Sequence, residues 1–203
     1  MIYAAGASHR KLNVPGEEMF RGKGISYCAT CDGALYRDKT VAVIGGGDTA
    51  LGEAIFLEKI AKTVYLIHRR AQFRANPTLR ERVRSSEKIK TVREAVVTEI
   101  LGEAKVSDLR IERKGRVELL PVDGIFTAIG MIPNTDAVKP LVSLDEGGYL
   151  IADETGVTSV EGLFAAGDVR TKRLRQVVTA VSDGANCVAS AAEYLERAAL
   201  PIG

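Results

Sequence analysis

Residues 40–50 constrain the fold more than any other stretch of this chain. Thr40-Val41-Ala42-Val43-Ile44 is a continuous β-branched and apolar run, the composition of a strand covered on both faces of a parallel sheet. Gly45-Gly46-Gly47-Asp48-Thr49-Ala50 follows at once and fits G-x-G-x-x-A, and Ala50, Ala54, Ile55 and Leu57 then recur at helical spacing. Strand, glycine turn and helix in that order form the context in which such a turn cradles a dinucleotide pyrophosphate. Gly45 permits the tight turn, Gly47 lets backbone amides approach the phosphates, and Ala50 lets the helix pack close to the strand. The expected fold class is therefore α/β, Rossmann-like, with a parallel sheet.

The next strand, Thr63-Val64-Tyr65-Leu66-Ile67, is expected to end beside the adenosine ribose. A chain that reads NAD places Asp or Glu there, accepting from the ribose hydroxyls. This one places His68, Arg69 and Arg70, with Arg74 close behind. Cations in place of a carboxylate suit a 2′-phosphate, and guanidinium forks match its oxygens better than an ammonium does. NADPH is favoured over NADH on these grounds. Asn76-Pro77 reads as an N-cap followed by proline in the first helical position. The helix it opens carries Arg80, Arg82 and Arg84, and with Lys88 these read as a solvated face. Nucleic acid is the other use of a basic cluster, but no aromatic platform accompanies this one, and a net charge of +2 argues for neither use.

Cys28-Ala29-Thr30-Cys31 puts two sulfurs one helical turn apart, close enough to open and close a disulfide without large backbone movement. Asp32 stands next to the pair as a candidate to give and take the thiol proton. Half of a zinc site looks the same, yet the remaining ligands are scarce. Cys187 is the only other Cys, and His9 and His68 are the only His. A redox disulfide is the preferred reading, over a metal site or an inert pair. Three Cys are too few for a disulfide-scaffolded secreted fold. With no apolar run long enough to span a membrane and no signal-peptide pattern, a reducing cytoplasm is expected. Ile89 to Leu101 and Val106 to Leu120 are β-rich, with a turn at Lys114-Gly115, and suggest a three-stranded meander. Val122 to Gly130 reads as a buried strand ending in a glycine turn.

Together these pieces resemble the low-molecular-weight thioredoxin reductases of the pyridine nucleotide-disulfide oxidoreductase superfamily. The resemblance is carried by Pro15-Gly16-Glu17, by Tyr27 to Gly33 around the cysteines, by Gly45 to Ala50, and by His68-Arg69-Arg70 with Arg74. Ile129-Gly130 with Pro133-Asn134, Gly162 to Asp168, and Arg175-Gln176 complete it, in the family's order along the whole chain. It implies a three-layer β/β/α NADPH-binding domain over about residues 11–136, and part of a similar FAD-binding domain from residues 1–10 and 137–203. NADPH would reduce FAD, which would reduce the Cys28–Cys31 disulfide, which would reduce thioredoxin. In that scheme Cys31 faces the flavin, Cys28 attacks the partner disulfide and Asp32 is the acid/base. Gly45, Gly46, Gly47, Asp48, Thr49, Ala50, His68, Arg69, Arg70 and Arg74 would bind NADPH, and Ile129 and Gly130 are further expected cofactor-binding residues. Gly167, Asp168, Arg175, Gln176 and Val177 would contact FAD. The family also implies a homodimer and hinges near Ser8–Lys11 and Pro133–Val138. Cys187, on the last helix, is expected to be a buried core thiol.

The family opens with a strand and a first G-x-G-x-x-G for the FAD pyrophosphate, and no such motif precedes Cys28 here. Met1 to Ala7 instead resembles the strand that closes the first flavin segment, so the chain is expected to be N-terminally truncated. Two alternatives to the reductase follow. One is a flavin-free module that binds NADPH without turnover, and the other is a flavoprotein of the same fold that reduces a different disulfide.

Overall fold

The structure, a computed structural model, describes residues 1–199. In chain order the first elements are β1 (Ile2–Tyr3), β2 (Ala7–His9), β3 (Ile25–Ser26), α1 (Ala29–Asp32), β4 (Thr40–Gly45), α2 (Asp48–Leu57), β5 (Thr63–His68) and α3 (Pro77–Ser85). They are followed by β6 (Ile89–Arg93), β7 (Ala95–Gly102), β8 (Val106–Arg113), β9 (Arg116–Pro121) and β10 (Gly124–Ala128). β11 (Met131–Pro133), β12 (Phe164–Ala165) and α4 (Val177–Ala199) close the series. The chain divides into two compact units, Lys11–Gly130 and a unit formed by Met1–Arg10 with the residues from Met131 onward.

Within Lys11–Gly130, β3, β10, β4, β5 and β6 lie side by side in one parallel sheet, in that order. β4 is apolar throughout because both of its faces are covered. Val41 and Val43 pack under α2 and α3, with Leu51, Ile55, Leu57, Leu66, Val83 and Phe126. Ala42 and Ile44 point the other way, into Ile67, Ile100, Leu109, Ile111 and Ile125 beneath the antiparallel meander β7-β8-β9. The result is three layers, helix, sheet and meander.

The β-rich stretch from Ile89 to Leu101 proves to be two strands that belong to different sheets. β6 joins the parallel sheet beside β5, and β7 opens the meander against β8. Glu94 between them adopts a left-handed conformation with φ 58°, which lets the chain leave one layer for the other. α3 begins as its sequence suggests: the Asn76 side chain accepts from the Leu79 N–H at 3.0 Å, and Pro77 follows it. Pro15-Gly16-Glu17 acts structurally, since the buried Glu17 carboxylate accepts from the amides of Leu12 and Asn13 at 2.8 and 2.7 Å and pins the entry to this unit.

The other unit has smaller cores. β1 pairs with β12 in parallel, and β2 pairs with β11 antiparallel. Val138, Leu150, Ala152, Ala165 and Val169 form one cluster, while Phe164, Ala166 and Cys187 form another under α4, with Tyr194 at its edge. Cys187 is fully buried, as its position on the helix suggests. No helix among the described residues is long and apolar enough to cross a membrane.

Burial separates costly from cheap substitutions in the sheet unit. Leu66→Ala empties a site that is 0% exposed and costs about 2–5 kcal/mol in chemical denaturation. Leu119→Ala, on the open edge strand β9 and 56% exposed, changes stability by about 0.5 kcal/mol or less.

Candidate active site

Cys28 caps the short helix α1 and is joined to Cys31 in a disulfide, with Cα atoms 5.3 Å apart. The Cys31 N–H donates to Cys28 Sγ at 3.2 Å, and Thr30 Oγ1 lies 3.3 Å from the same sulfur. A donor aimed at a sulfur stabilises the thiolate when the disulfide opens. Cys28 is half-buried and Cys31 exposed. Ser26, buried at the end of β3, orders this turn from behind. Its hydroxyl donates to Asp32 Oδ2 at 2.6 Å and accepts from the Cys28 N–H at 3.1 Å. One hydroxyl therefore fixes both the first cysteine and the neighbouring carboxylate.

The glycine turn lies at the end of β4 in the same unit. A Cβ at Gly45 would come within 2.7 Å of the Ala50 methyl, so Gly45 and Ala50 together set how closely α2 approaches the strand. A Cβ at Gly47 would meet nothing, and no side chain caps the N-terminus of α2 there. Open space above uncapped amides fits a pyrophosphate. Asp48 does not face that space alone: its Oδ1 accepts from the Asn76 backbone N–H at 2.8 Å, tying the start of α2 to the start of α3. Thr49 is exposed and Ala50 fully buried.

The basic group splits in two. Arg69, Arg70 and Arg74 are exposed, and the Arg74 backbone N–H donates to Gly46 O at 2.7 Å, which holds its loop against the glycine turn. His68 is 7% exposed and stacks on Phe73, with ring centroids 5.4 Å apart. Its ring fills the space that a Cβ at Gly46 would need. Burial, together with the charges of Arg74, Arg70 and Arg69, lowers its pKa, so the imidazole is neutral at pH 7. His68 is thus the floor of the glycine turn, and the exposed cations are the three arginines. Ile129 is half-buried against the meander core, and Gly130 is exposed with φ 108°.

In the other unit, Gly167-Asp168-Val169 forms a tight 3-10 turn after β12. Asp183 holds it, with Oδ2 accepting from the Gly167 N–H at 2.8 Å. Arg170, 2% exposed, donates to both Asp183 oxygens at 3.0 and 2.6 Å, and Lys172 donates at 2.7 Å. Burial opposes the Asp183 charge, but Arg170, Lys172 and the Gly167 amide outweigh it and hold its pKa at about 2. A cavity of about 490 Å³ opens beside this turn, lined by Asp168 and by small residues including Gly6, Ala166, Ala180 and Gly184. Asp168 Oδ1 is buried and has no partner among the described residues. The Arg175 guanidinium lies 4.1 Å from the Tyr149 ring centroid, with its Nε buried and unpartnered. Gln176 is half-buried and Val177 is 81% exposed. An orphaned acceptor beside a cavity of small residues fits the hydroxyl donors of a group such as FAD.

Comparison with known proteins places this geometry. A family model described as pyridine nucleotide-disulphide oxidoreductase matches residues 1–184. The chain belongs to that family. Thioredoxin reductases from Listeria innocua and Treponema pallidum are 42% and 44% identical to it, over 200 and 198 residues. Each alignment covers 97% of this chain but only 63% and 64% of the relative. Among solved structures, a thioredoxin reductase from Streptococcus pyogenes matches with TM-score 0.89 and 45% identity, over 97% of this chain and 65% of that one. A ferredoxin-flavin thioredoxin reductase from Clostridium acetobutylicum matches with TM-score 0.51 and 30% identity, over 97% and 63%. The chain spans a little under two thirds of the length of these relatives.

Sequence reading did not single out Ser26, Glu53, Arg170 or Asp183. Glu53 carried one faint signal, as the only charge inside the apolar run from Ala50 to Leu57. The steric role of His68 gives a direct check. Gly46→Ala is destabilised by about 1–3 kcal/mol because its methyl meets the imidazole. The combined Gly46→Ala, His68→Ala variant shows a coupling of at least about 0.5 kcal/mol in a thermodynamic cycle by chemical denaturation.

Proposed function

We propose that the chain acts as a thioredoxin-disulfide reductase, passing electrons from NADPH through FAD to the Cys28–Cys31 disulfide and on to thioredoxin. One observation carries this reading: a formed C-x-x-C disulfide shares a unit with a dinucleotide turn rimmed by arginines. Each member of that set has a role in the reaction. The amides of Gly45 to Ala50 hold the pyrophosphate, and Arg69, Arg70 and Arg74 hold the 2′-phosphate. Asp168, Arg175, Gln176 and Val177, with Gly167, would hold FAD, whose chemistry is to pass the electron pair between nicotinamide and disulfide.

The chain's own residues then handle sulfur and protons. Cys31 accepts the electrons, and Cys28 attacks the partner disulfide. The N–H donated to Cys28 Sγ supports that assignment, because it favours the thiolate that thiol–disulfide exchange requires. Asp32, oriented by Ser26, exchanges the proton with the pair. A homodimer in a reducing cytoplasm is the expected setting. The three arginines favour NADPH over ferredoxin as the electron source, in contrast to the clostridial ferredoxin-flavin thioredoxin reductase. The competing reading is a flavin-free module that binds NADPH through the Lys11–Gly130 unit alone.

Two measurements test the assignment. NADPH binds at least about tenfold more tightly than NADH, and Arg69→Ala with Arg70→Ala removes most of that preference. Cys31→Ser traps a mixed disulfide between Cys28 and thioredoxin, whereas Cys28→Ser traps none. Equal affinity for both nucleotides would reject the 2′-phosphate reading. Trapping through Cys31 alone would reverse the roles of the cysteines.

A further inference from the structure

A half-buried carboxyl that the reaction scheme above does not use lies directly behind the redox turn. Glu53 is on α2, and α2 packs against α1. Its Oε1 accepts from the Ala29 N–H at 3.4 Å, at the first residue of α1. Its Oε2 is buried and has no partner among the described residues. The start of α1 thus offers two amides to two groups that can each become an anion. The Ala29 N–H turns to Glu53, and the Cys31 N–H turns to Cys28 Sγ. Two acids that interact by more than about one pKa unit titrate as a pair.

We propose that Glu53 is a positioning residue of the redox pair, whose carboxylate opposes the Cys28 thiolate at the start of α1 and so sets the pH at which the opened pair becomes nucleophilic. The surroundings leave Glu53 free to play this part. Elements packed against α2 carry Asp32 on α1, Tyr65 and His68 on β5, and Arg80, Glu81, Arg82 and Arg84 on α3, while β4 and β10 carry no titratable group. None of these, nor Asp48 on α2 itself, shifts the Glu53 carboxyl: burial raises it and the Ala29 N–H alone opposes that, leaving it at about 7. With the disulfide closed, Glu53 therefore carries its proton below about pH 7 and loses it above. When an external dithiol opens the bond, the Cys28–Cys31 S–S breaks, a disulfide forms in the reagent, and two thiols are left. The first to ionise meets a carboxylate of like charge. Each group then raises the pKa of the other.

The inference rests on the reading of Cys28–Cys31 as a pair that opens, but its test needs neither nicotinamide nor flavin. The full chain is reduced anaerobically with dithiothreitol, desalted and reacted with iodoacetamide across a pH series, and carbamidomethylation of Cys28 is read by peptide mass spectrometry. Glu53→Gln keeps an oxygen for the Ala29 N–H and removes the charge. The pH midpoint of Cys28 alkylation falls in E53Q by about one unit relative to wild type. An unchanged or higher midpoint in a folded E53Q overturns the proposal. Should E53Q fail to fold, Glu53→Ala removes the same charge and supplies the second readout. Its Cys28 alkylation midpoint also falls below that of wild type, and an unchanged or higher midpoint in folded E53A overturns the proposal. If dithiothreitol cannot open the pair at all, the redox reading of Cys28–Cys31 fails as well.

Discussion

The chemistry available to Lys11–Gly130 depends on the close approach of α2 to the end of β4. Ala50 sits against Gly45 with no room for a Cβ, and the His68 ring fills the space beside Gly46. That contact aims the start of α2 outward, leaves its amides uncapped, and sets Glu53 one turn further along against α1. The same helix thus offers uncapped amides at its N-terminus and packs against the redox turn on its flank. Displacing α2 would disturb both, which makes the small residues at 45, 46 and 50 a joint requirement rather than three separate ones.

Polar groups divide into those already satisfied and those left over. Glu17, Asp183 and the Asp48–Asn76 pair are fully engaged and hold turns in place. Among the described residues, Asp168 Oδ1, Arg175 Nε, Glu53 Oε2, His68 Nε2 and Thr127 Oγ1 are buried without partners, a costly state. The first two border the small-residue cavity or lie near it in sequence, and the third lies behind the disulfide. In the other unit, the Arg170–Asp183 ion pair is wholly buried, and cations on both sides of Asp183 keep it ionised. Its contribution to stability is complete above about pH 3.8 and is lost as pH falls toward about 2.

Local signals made much of this legible in sequence. The apolar run of β4, the glycine turn, the Asn76-Pro77 cap and the C-x-x-C pair each state their structure within a few residues. What escaped depends on partners distant in sequence. Nothing near Glu94 announces a left-handed residue between two sheets, so Ile89–Leu101 read as one strand. His68 read as a cation beside Arg69 because its burial under Gly46 is decided by the register of β5 against β4. Asp183 and Glu53 look like ordinary helical acids until the turns they serve are folded against them.

Under the proposed function, the Cys28–Cys31 disulfide accepts electrons from NADPH. An anaerobic NADPH titration of the purified chain, supplied with FAD and followed by absorbance and by alkylation of the two cysteines, decides this. Flavin bands are expected to bleach on addition of NADPH, and Cys28 and Cys31 to become alkylatable together. A protein that binds NADPH, takes up no flavin and keeps its disulfide closed would contradict it.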